Sequence, residues 1–173
     1  YGDASTISFH ATKIFHTIEG GGIVFEEDKM IEKAYKAINF GFENYYKITE
    51  LGINGKMNEF EAAMGLANLE FIEEVILKRK KVAEIYLENL KNLEGEGLIF
   101  QKWNENANKN YSYFPIVFQN QSHLEKVIDK LASKNIYPRR YFYPSLDKLP
   151  YLKSKQKLEN SDFISNRILC LPI

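Results

Sequence analysis

The stretch most able to do chemistry holds Ser8, His10 and Lys13, followed by the glycine run Gly20-Gly21-Gly22. Polarity alternates from Thr6 to His10. A strand there would turn Ile7 and Phe9 to one side and Ser8 and His10 to the other. Lys13 follows in a loop, so three polar groups could face one cavity. A lysine amine serves as nucleophile or base where desolvation and positive surroundings lower its pKa. Glycines let the backbone turn sharply or approach a ligand closely. Ile23-Val24-Phe25 reads as a second, buried strand. Most lysines are solvated surface charges, and a strand histidine is more often structural. Spacing alone leaves both readings open.

The elements that would hold this stretch follow in order. Asp28 is placed to cap a helix with Ile31, Ala34, Tyr35 and Ile38 on one face, ending near Gly41. Residues 42–56 read as a long loop, which in a compact domain is usually functional or disordered. Asn58 with Glu61 marks a capping box. The next helix places Phe60, Ala63, Met64, Ala67 and Phe71 on one face, and Ala62, Ala63, Gly65 and Ala67 make it slim enough for close packing. A long helix runs from about Phe71 to Leu93, ended by Gly95 and Gly97. Its basic run, Lys78-Arg79-Lys80-Lys81, reads as a solvated face, with nucleic-acid contact as the lesser alternative. Residues 98–103 and 111–118 read as strands, with Pro115 marking an edge or an irregularity. Ser122 with Glu125 is predicted to cap a helix through Leu124, Val127, Ile128 and Leu131. Ser161 is predicted to open a last helix through Phe163, Ile164 and Ile168.

Composition sets outer bounds. The chain has 173 residues, 45% of them hydrophobic, enough for one domain or parts of two. Its 23 basic and 23 acidic residues balance, which argues against an electrostatic nucleic-acid binder. The single cysteine, Cys170, excludes an intrachain disulfide and fits a reducing, cytoplasmic setting. Its neighbours Ile168, Leu169 and Leu171 predict a buried, inert thiol. No apolar run has the length needed to cross a bilayer, and no stretch reads as a signal peptide. The three histidines are scattered without metal-ligand spacing, so no metal is expected. Tyr1 enters a strand at once, and Cys170-Leu171-Pro172-Ile173 has no closing element after it. The expectation is that both ends are cuts through a longer protein.

Three blocks resemble a known family. Residues 1–24, YGDASTISFHATKIFHTIEGGGIV, resemble the region around the active-site lysine of the DegT-type (DegT/DnrJ/StrS) sugar aminotransferases. The family pattern Ser-Phe-x-x-x-Lys with a later Glu-Gly-Gly falls on Ser8, Phe9, Lys13, Glu19, Gly20 and Gly21. The stretch from Gly52 to Gly65 is similar to the family's Asn-x-Arg/Lys-Met segment and the small-residue helix after it. Residues 138–146, PRRYFYPSL, look like the branch that aminates nucleotide-linked 4-keto-6-deoxyhexoses.

The resemblance implies an α/β chain of the aspartate-aminotransferase fold. Residues 1–75 would be the C-terminal part of the large, cofactor-binding domain. Residues 76–173 would be most of a small α+β C-terminal domain, incomplete at its end. It implies pyridoxal 5'-phosphate as cofactor, covalently held by Lys13, which would also move protons during turnover. Ser8 would donate to the cofactor phosphate. Asn54 would reach the phosphate in the neighbouring subunit of a homodimer with shared sites, or be only the turn residue of an Asn-Gly pair. His10 would stack on or bond to cofactor or substrate, or support the site from behind. Lys56, where the family more usually has Arg, could pair with a sugar-nucleotide diphosphate as a point charge. Glu19 and His16 could touch the sugar. Arg139, Arg140, Tyr141 and Tyr143 suit a diphosphate and a ring, or form a packed connector.

The implied function is amination of a 4-keto-6-deoxyhexose linked to a nucleotide, dTDP in the first instance. Glutamate would be the donor, and the product would enter surface-polysaccharide or O-antigen synthesis. Alternatives are a related sugar dehydratase, in which His replaces the lysine, and a non-catalytic copy of the fold serving assembly. Lys13 speaks against the dehydratase. The family's Asp for the pyridine nitrogen and its ring-stacking residue lie before Tyr1, so these residues alone are expected to be inactive.

Overall fold

Alternation near the N-terminus does produce a strand, but two residues earlier than the polarity pattern predicts. In the computed structural model, which describes residues 2–153 and 156–173, β1 (Ala4–Ser8) pairs antiparallel with β2 (Gly21–Phe25). Ser8 faces Gly21 at the end of this ribbon. His10 therefore lies beyond the strand, and no shared strand face joins it to Ser8. Ile23 and Val24, expected to be buried, are 51% and 58% exposed. A ribbon of two strands cannot cover both of its own faces.

The chain divides into two compact units, Tyr1–Val75 and Ile76–Ile173. In the first, α1 (Asp28–Ile38) follows the ribbon. Glu27, not Asp28, occupies its N-cap, and no side chain caps it. Asp28 sits in the first turn instead, where its charge suits the helix dipole. The helix ends at Asn39, and Gly41 (φ 80°) reverses the chain. The stretch expected to be a loop holds a small antiparallel hairpin, β3 (Phe42–Asn44) and β4 (Lys47–Ile48). The Asn44 side chain accepts from the Tyr46 N–H at 3.0 Å and makes the turn. The strands are too short to leave a period-2 pattern.

Next, α2 (Glu59–Leu69) begins with both bonds of the predicted capping box between Asn58 and Glu61. Its buried side differs from the expected one. Gly65 is buried, whereas Phe60 and Phe71 are 86% and 56% exposed. Then comes α3 (Ile72–Leu90), continued by a 3-10 turn to Glu96 and stopped by left-handed Gly97.

The second unit is built on a three-stranded antiparallel sheet in the order β5 (Ile99–Phe100), β6 (Phe114–Val117), β7 (Ile168–Leu171). Both predicted strands are shorter than expected, and the third, β7, is not predicted: it begins at Ile168, the last residue of the expected helix. Pro115 lies in the central strand. Opposite it, Cys170 exchanges its backbone bonds with Arg139 and turns them away from β6. The Pro115 nitrogen thus points toward β5, which stops at Phe100, paired with Ile116. Continued pairing there would need the donor that proline lacks.

α4 (Gln121–Ala132) packs on this sheet. Its cap is Asn120, accepting from the His123 N–H at 2.8 Å, rather than Ser122. α5 (Glu159–Ser165) starts two residues before Ser161 with no side-chain cap. The core joins Ala83 of α3, Leu98, Phe114, Ile116, Phe118, Leu124 and Leu169, with the predicted α4 face Val127, Ile128 and Leu131 against it. Arg79 departs from the expected solvated face. It is half-buried and donates to three backbone carbonyls. Among the described residues no helix is long and apolar enough to cross a membrane.

Candidate active site

The loop between β1 and β2 is closed at its base by two backbone bonds. The Phe9 N–H donates to the Gly20 carbonyl, and the Thr17 N–H donates to the Phe9 carbonyl, both at 2.9 Å. Inside it the Lys13 N–H donates to the His10 carbonyl at 2.9 Å.

His10 is the hub. Its N–H reaches Ser8 Oγ at 3.4 Å. Its Nδ1 accepts from the Thr12 N–H at 3.2 Å. An accepting Nδ1 places the ring proton on Nε2, which lies 3.4 Å from Glu19 Oε1. Ser8, Lys13 and Glu19 are thus gathered through one residue. The Lys13 side chain is exposed, and its Nζ has no hydrogen bond or ion pair among the described residues.

This loop rests on α2. Thr17 is 2% exposed. A Cβ added at Gly65 would stand 2.8 Å from the Thr17 methyl, and one at Gly20 would stand 2.3 Å from Thr17 Oγ1. Neither position has room for a side chain. Asn68 Nδ2 donates to the His16 carbonyl at 2.7 Å. Thr17 and Asn68 were not legible in the sequence. A buried loop threonine leaves no periodic trace, and the only signal was the smallness of α2.

Asn54 and Lys56 form a second cluster. Lys56 Nζ donates to Asn54 Oδ1 at 2.7 Å and lies 4.5 Å from the Phe40 ring centroid. The Gly55 N–H donates to the Ile38 carbonyl at 2.8 Å, which fixes the segment to the end of α1. Met57 then reaches the glycine loop, its Cε 2.8 Å from where a Cβ of Gly20 would lie. No hydrogen bond or ion pair joins Asn54 or Lys56 to Ser8 or Lys13 among the described residues.

In the second unit the arginine pair divides. Arg139 is exposed and donates to the Tyr141 hydroxyl. Arg140 stacks 3.6 Å from the Tyr143 ring centroid and donates to the Ser165 carbonyl at 3.1 Å. Tyr141 meets Tyr113 edge to face at 5.2 Å.

These groups fit the attachment and phosphate ends of pyridoxal 5'-phosphate. Lys13 offers an unpaired amine. The Ser8 oxygen accepts from His10 and keeps its own proton to donate. Lys56 occupies Asn54 Oδ1 and leaves the Nδ2 donors free for a phosphate.

The chain matches the DegT/DnrJ/EryC1/StrS aminotransferase family over residues 1–173, and it belongs to that family. Enzymes of this family depend on pyridoxal 5'-phosphate. Among its relatives, a dTDP-4-amino-4,6-dideoxy-D-glucose transaminase of Shigella dysenteriae is 36% identical over 178 residues, covering 100% of this chain and 48% of the relative. A transaminase of the same description from Escherichia coli is 36% identical over 162 residues, covering 90% and 43%. Among solved structures, DesI in the presence of its TDP-sugar product superposes with a TM-score of 0.87 at 30% identity, over 99% of this chain and 45% of that one. The aminotransferase TlmJ from Streptoalloteichus hindustanus shares the fold, with a TM-score of 0.88 at 22% identity over 98% and 46%. The chain spans about half the length of the curated relatives it matches.

Proposed function

We propose that the protein is a pyridoxal-phosphate-dependent aminotransferase of a nucleotide-linked 4-keto-6-deoxyhexose, with dTDP as the nucleotide and glutamate as the amino donor. The observation that carries this is the His10 hub, which ties the Ser8 hydroxyl at the end of β1 and the Lys13 backbone in the loop to one residue. The likeness to two named dTDP-aminosugar transaminases supports the choice of substrate.

The cofactor, when bound, supplies the electron sink for the amino-group exchange. Lys13 Nζ would hold it covalently; the incoming amino donor would displace that bond, and the freed Nζ would then take and return the proton at the reacting carbon. Ser8 Oγ donates to a phosphate oxygen. Asn54 Nδ2 donates to the phosphate of the neighbouring subunit in a homodimer. The exposed Phe60, Leu66 and Leu69 of α2 suit such a partner. His10, through Nε2, and Glu19 line the mouth of the Lys13 loop. Lys56 meets the diphosphate of the sugar nucleotide. Within the second unit the exposed Arg139 suits a diphosphate and Tyr141 a ring. Arg140, committed to Tyr143 and Ser165, holds the segment in shape. Residues 1–75 belong to the large domain and 76–173 to the small one. The setting is the cytoplasm, and the product enters surface-polysaccharide or O-antigen synthesis.

The test uses the full-length protein with pyridoxal phosphate, its absorbance recorded before and after borohydride, followed by peptide mass mapping. A visible-edge band and a reduced adduct on Lys13 are expected. A folded full-length protein with Lys13 unmodified would overturn the reading and favour a non-catalytic copy of the fold.

A further inference from the structure

We infer that Thr17 is a positioning residue for Lys13, acting through a relay of bonds that starts in the buried seat on α2. The inference rests on the reading of Lys13 as the cofactor-bearing lysine. Thr17 Oγ1 donates to the Glu19 carbonyl. The Glu19 carboxylate faces His10 Nε2 at 3.4 Å. The His10 carbonyl accepts the Lys13 N–H, and the His10 N–H meets Ser8 Oγ. The buried hydroxyl is thus linked, through Glu19 and His10, to the Lys13 backbone N–H and to Ser8 Oγ.

The seat leaves Thr17 little choice of position. Its methyl lies over Gly65 and its hydroxyl over Gly20, each too close for a side chain on the glycine. Its N–H is tied to the Phe9 carbonyl at 2.9 Å. Asn68 holds the preceding carbonyl, of His16. Ile18 lies between the two ends of the Thr17–Glu19 bond with φ 70°, a conformation that a β-branched residue rarely adopts. Such a residue persists where its surroundings over-determine it. Here the hydroxyl bridge on one side and the His16 ring, accepting from the Ile18 N–H at 3.3 Å, do so.

A threonine is well suited to the task. Valine keeps the shape but has no proton for Glu19. Serine keeps the hydroxyl but has no methyl for Gly65.

The test uses the full-length holoenzyme and its Thr17→Val, Thr17→Ser and Gly65→Ala variants. Three quantities are read: the borohydride-fixed adduct on Lys13, the pH midpoint of the bound-cofactor absorbance, and kcat and KM for the sugar nucleotide. Thr17→Val is expected to move the pH midpoint by a few tenths of a unit, a fraction of the roughly 0.5 to 1 unit that a hydrogen bond made directly to the titrating group would give. It should lower kcat about tenfold or more, as small misplacements of a reacting group do, with KM within about twofold of the parent. Thr17→Ser should shift the midpoint less, and Gly65→Ala should shift it by displacing Thr17. Gly65→Ala, which displaces Thr17 without altering it, carries the test if Thr17→Val does not fold.

If Thr17→Val, or Gly65→Ala in its place, keeps the parental midpoint and kcat and loses only thermal stability, Thr17 is merely structural and the inference is overturned. If the parent itself carries no adduct on Lys13, the reading of Lys13 fails and takes the inference with it.

Discussion

The guanidinium of Arg79, on α3, donates to the carbonyl of Ile173 at 3.1 Å, tying the long helix to the second residue after β7. The same side chain donates to the carbonyls of Tyr111, at 2.8 Å, and Ser112, at 2.6 Å. Burial holds its pKa below the usual arginine value, and the three carbonyls compensate the charge. A lysine cannot reproduce this fork. Arg79→Lys is expected to destabilise the second unit by about 2 kcal/mol, the scale of charged hydrogen bonds lost with their acceptors left half-buried. Urea denaturation would read it as a lower midpoint at unchanged slope. A midpoint equal to that of the parent would return Arg79 to the solvated face.

Asn58 tests the other unit. Its side chain accepts from the Glu61 N–H at 2.9 Å, and Glu61 Oε2 returns a bond to the Asn58 N–H at 3.1 Å. Asn58→Ala should cost about 1 kcal/mol. It should also loosen the seat beneath Thr17, since Gly65 and Asn68 ride on the same helix. Hydrogen exchange would show faster opening of the first turn of α2. Unchanged exchange there would mean that packing alone holds the helix.

What could be read in advance followed from how local each signal is. The Asn58–Glu61 box and the apolar face of α4 span one or two helical turns, and both are found as expected. The lysine loop was located by its residue types, but its geometry was not. His10 serves the site through its backbone and both ring nitrogens, none of which has a sequence signature. The caps at Ser122 and Ser161 were misplaced because another start lay within two residues: Asn120 took the first, and α5 began at Glu159 without a cap. Strand β7 was hidden because Ile168, Leu169 and Leu171 satisfy helical and strand patterns equally over so short a run. Residues exposed here but apolar, such as Val24 and Phe60, could not be assigned a side from one chain's pattern.

Cys170 sits in β7, buried, facing away from solvent. Burial pushes its thiol pKa up, only partly opposed by a backbone hydrogen bond from Tyr141. At neutral pH little thiolate is present, and the thiolate is the reactive form. Alkylation by iodoacetamide should therefore be slow in the native protein and reach the rate of a free cysteine in denaturant. Equal rates in both conditions would show that β7 opens readily.

The Ser145–Asp147–Lys148–Asp162 cluster sets a pH dependence. Ser145 donates to Asp147 Oδ1. Lys148 Nζ lies 3.0 Å from Asp147 Oδ2 and 2.9 Å from Asp162 Oδ2. The Ser145 hydroxyl first, and then Lys148, hold the Asp147 carboxyl below the usual carboxylate range. Its contribution to stability is therefore present above the unfolded-state value of about 3.9 and lost as pH falls through the lower folded value. Asp162 first, and then Asp147, raise the Lys148 pKa. That contribution is present below about 10.4 and lost as pH rises through the higher folded value. Asp147→Asn should therefore lower the melting temperature in the neutral region and flatten the acid limb, with the smallest difference from the parent at the lowest pH. An acid limb as steep as the parent's would assign the loss to other carboxylates.

Lys56 separates substrate binding from site assembly. Its ammonium stands over the Phe40 ring and donates to Asn54. As a point charge it would attract a diphosphate without fixing its orientation, whereas an arginine would do both. In the full-length enzyme, Lys56→Ala should raise KM for the sugar nucleotide about tenfold, near the loss of one partly screened ion pair, with a smaller change in kcat. Lys56→Arg should keep or lower KM, because the fork can hold Asn54 and the diphosphate together. Cofactor affinity read by equilibrium dialysis completes the argument. If Lys56→Ala weakens cofactor binding and leaves KM unchanged, Lys56 serves Asn54 and the phosphate of the cofactor rather than the sugar nucleotide.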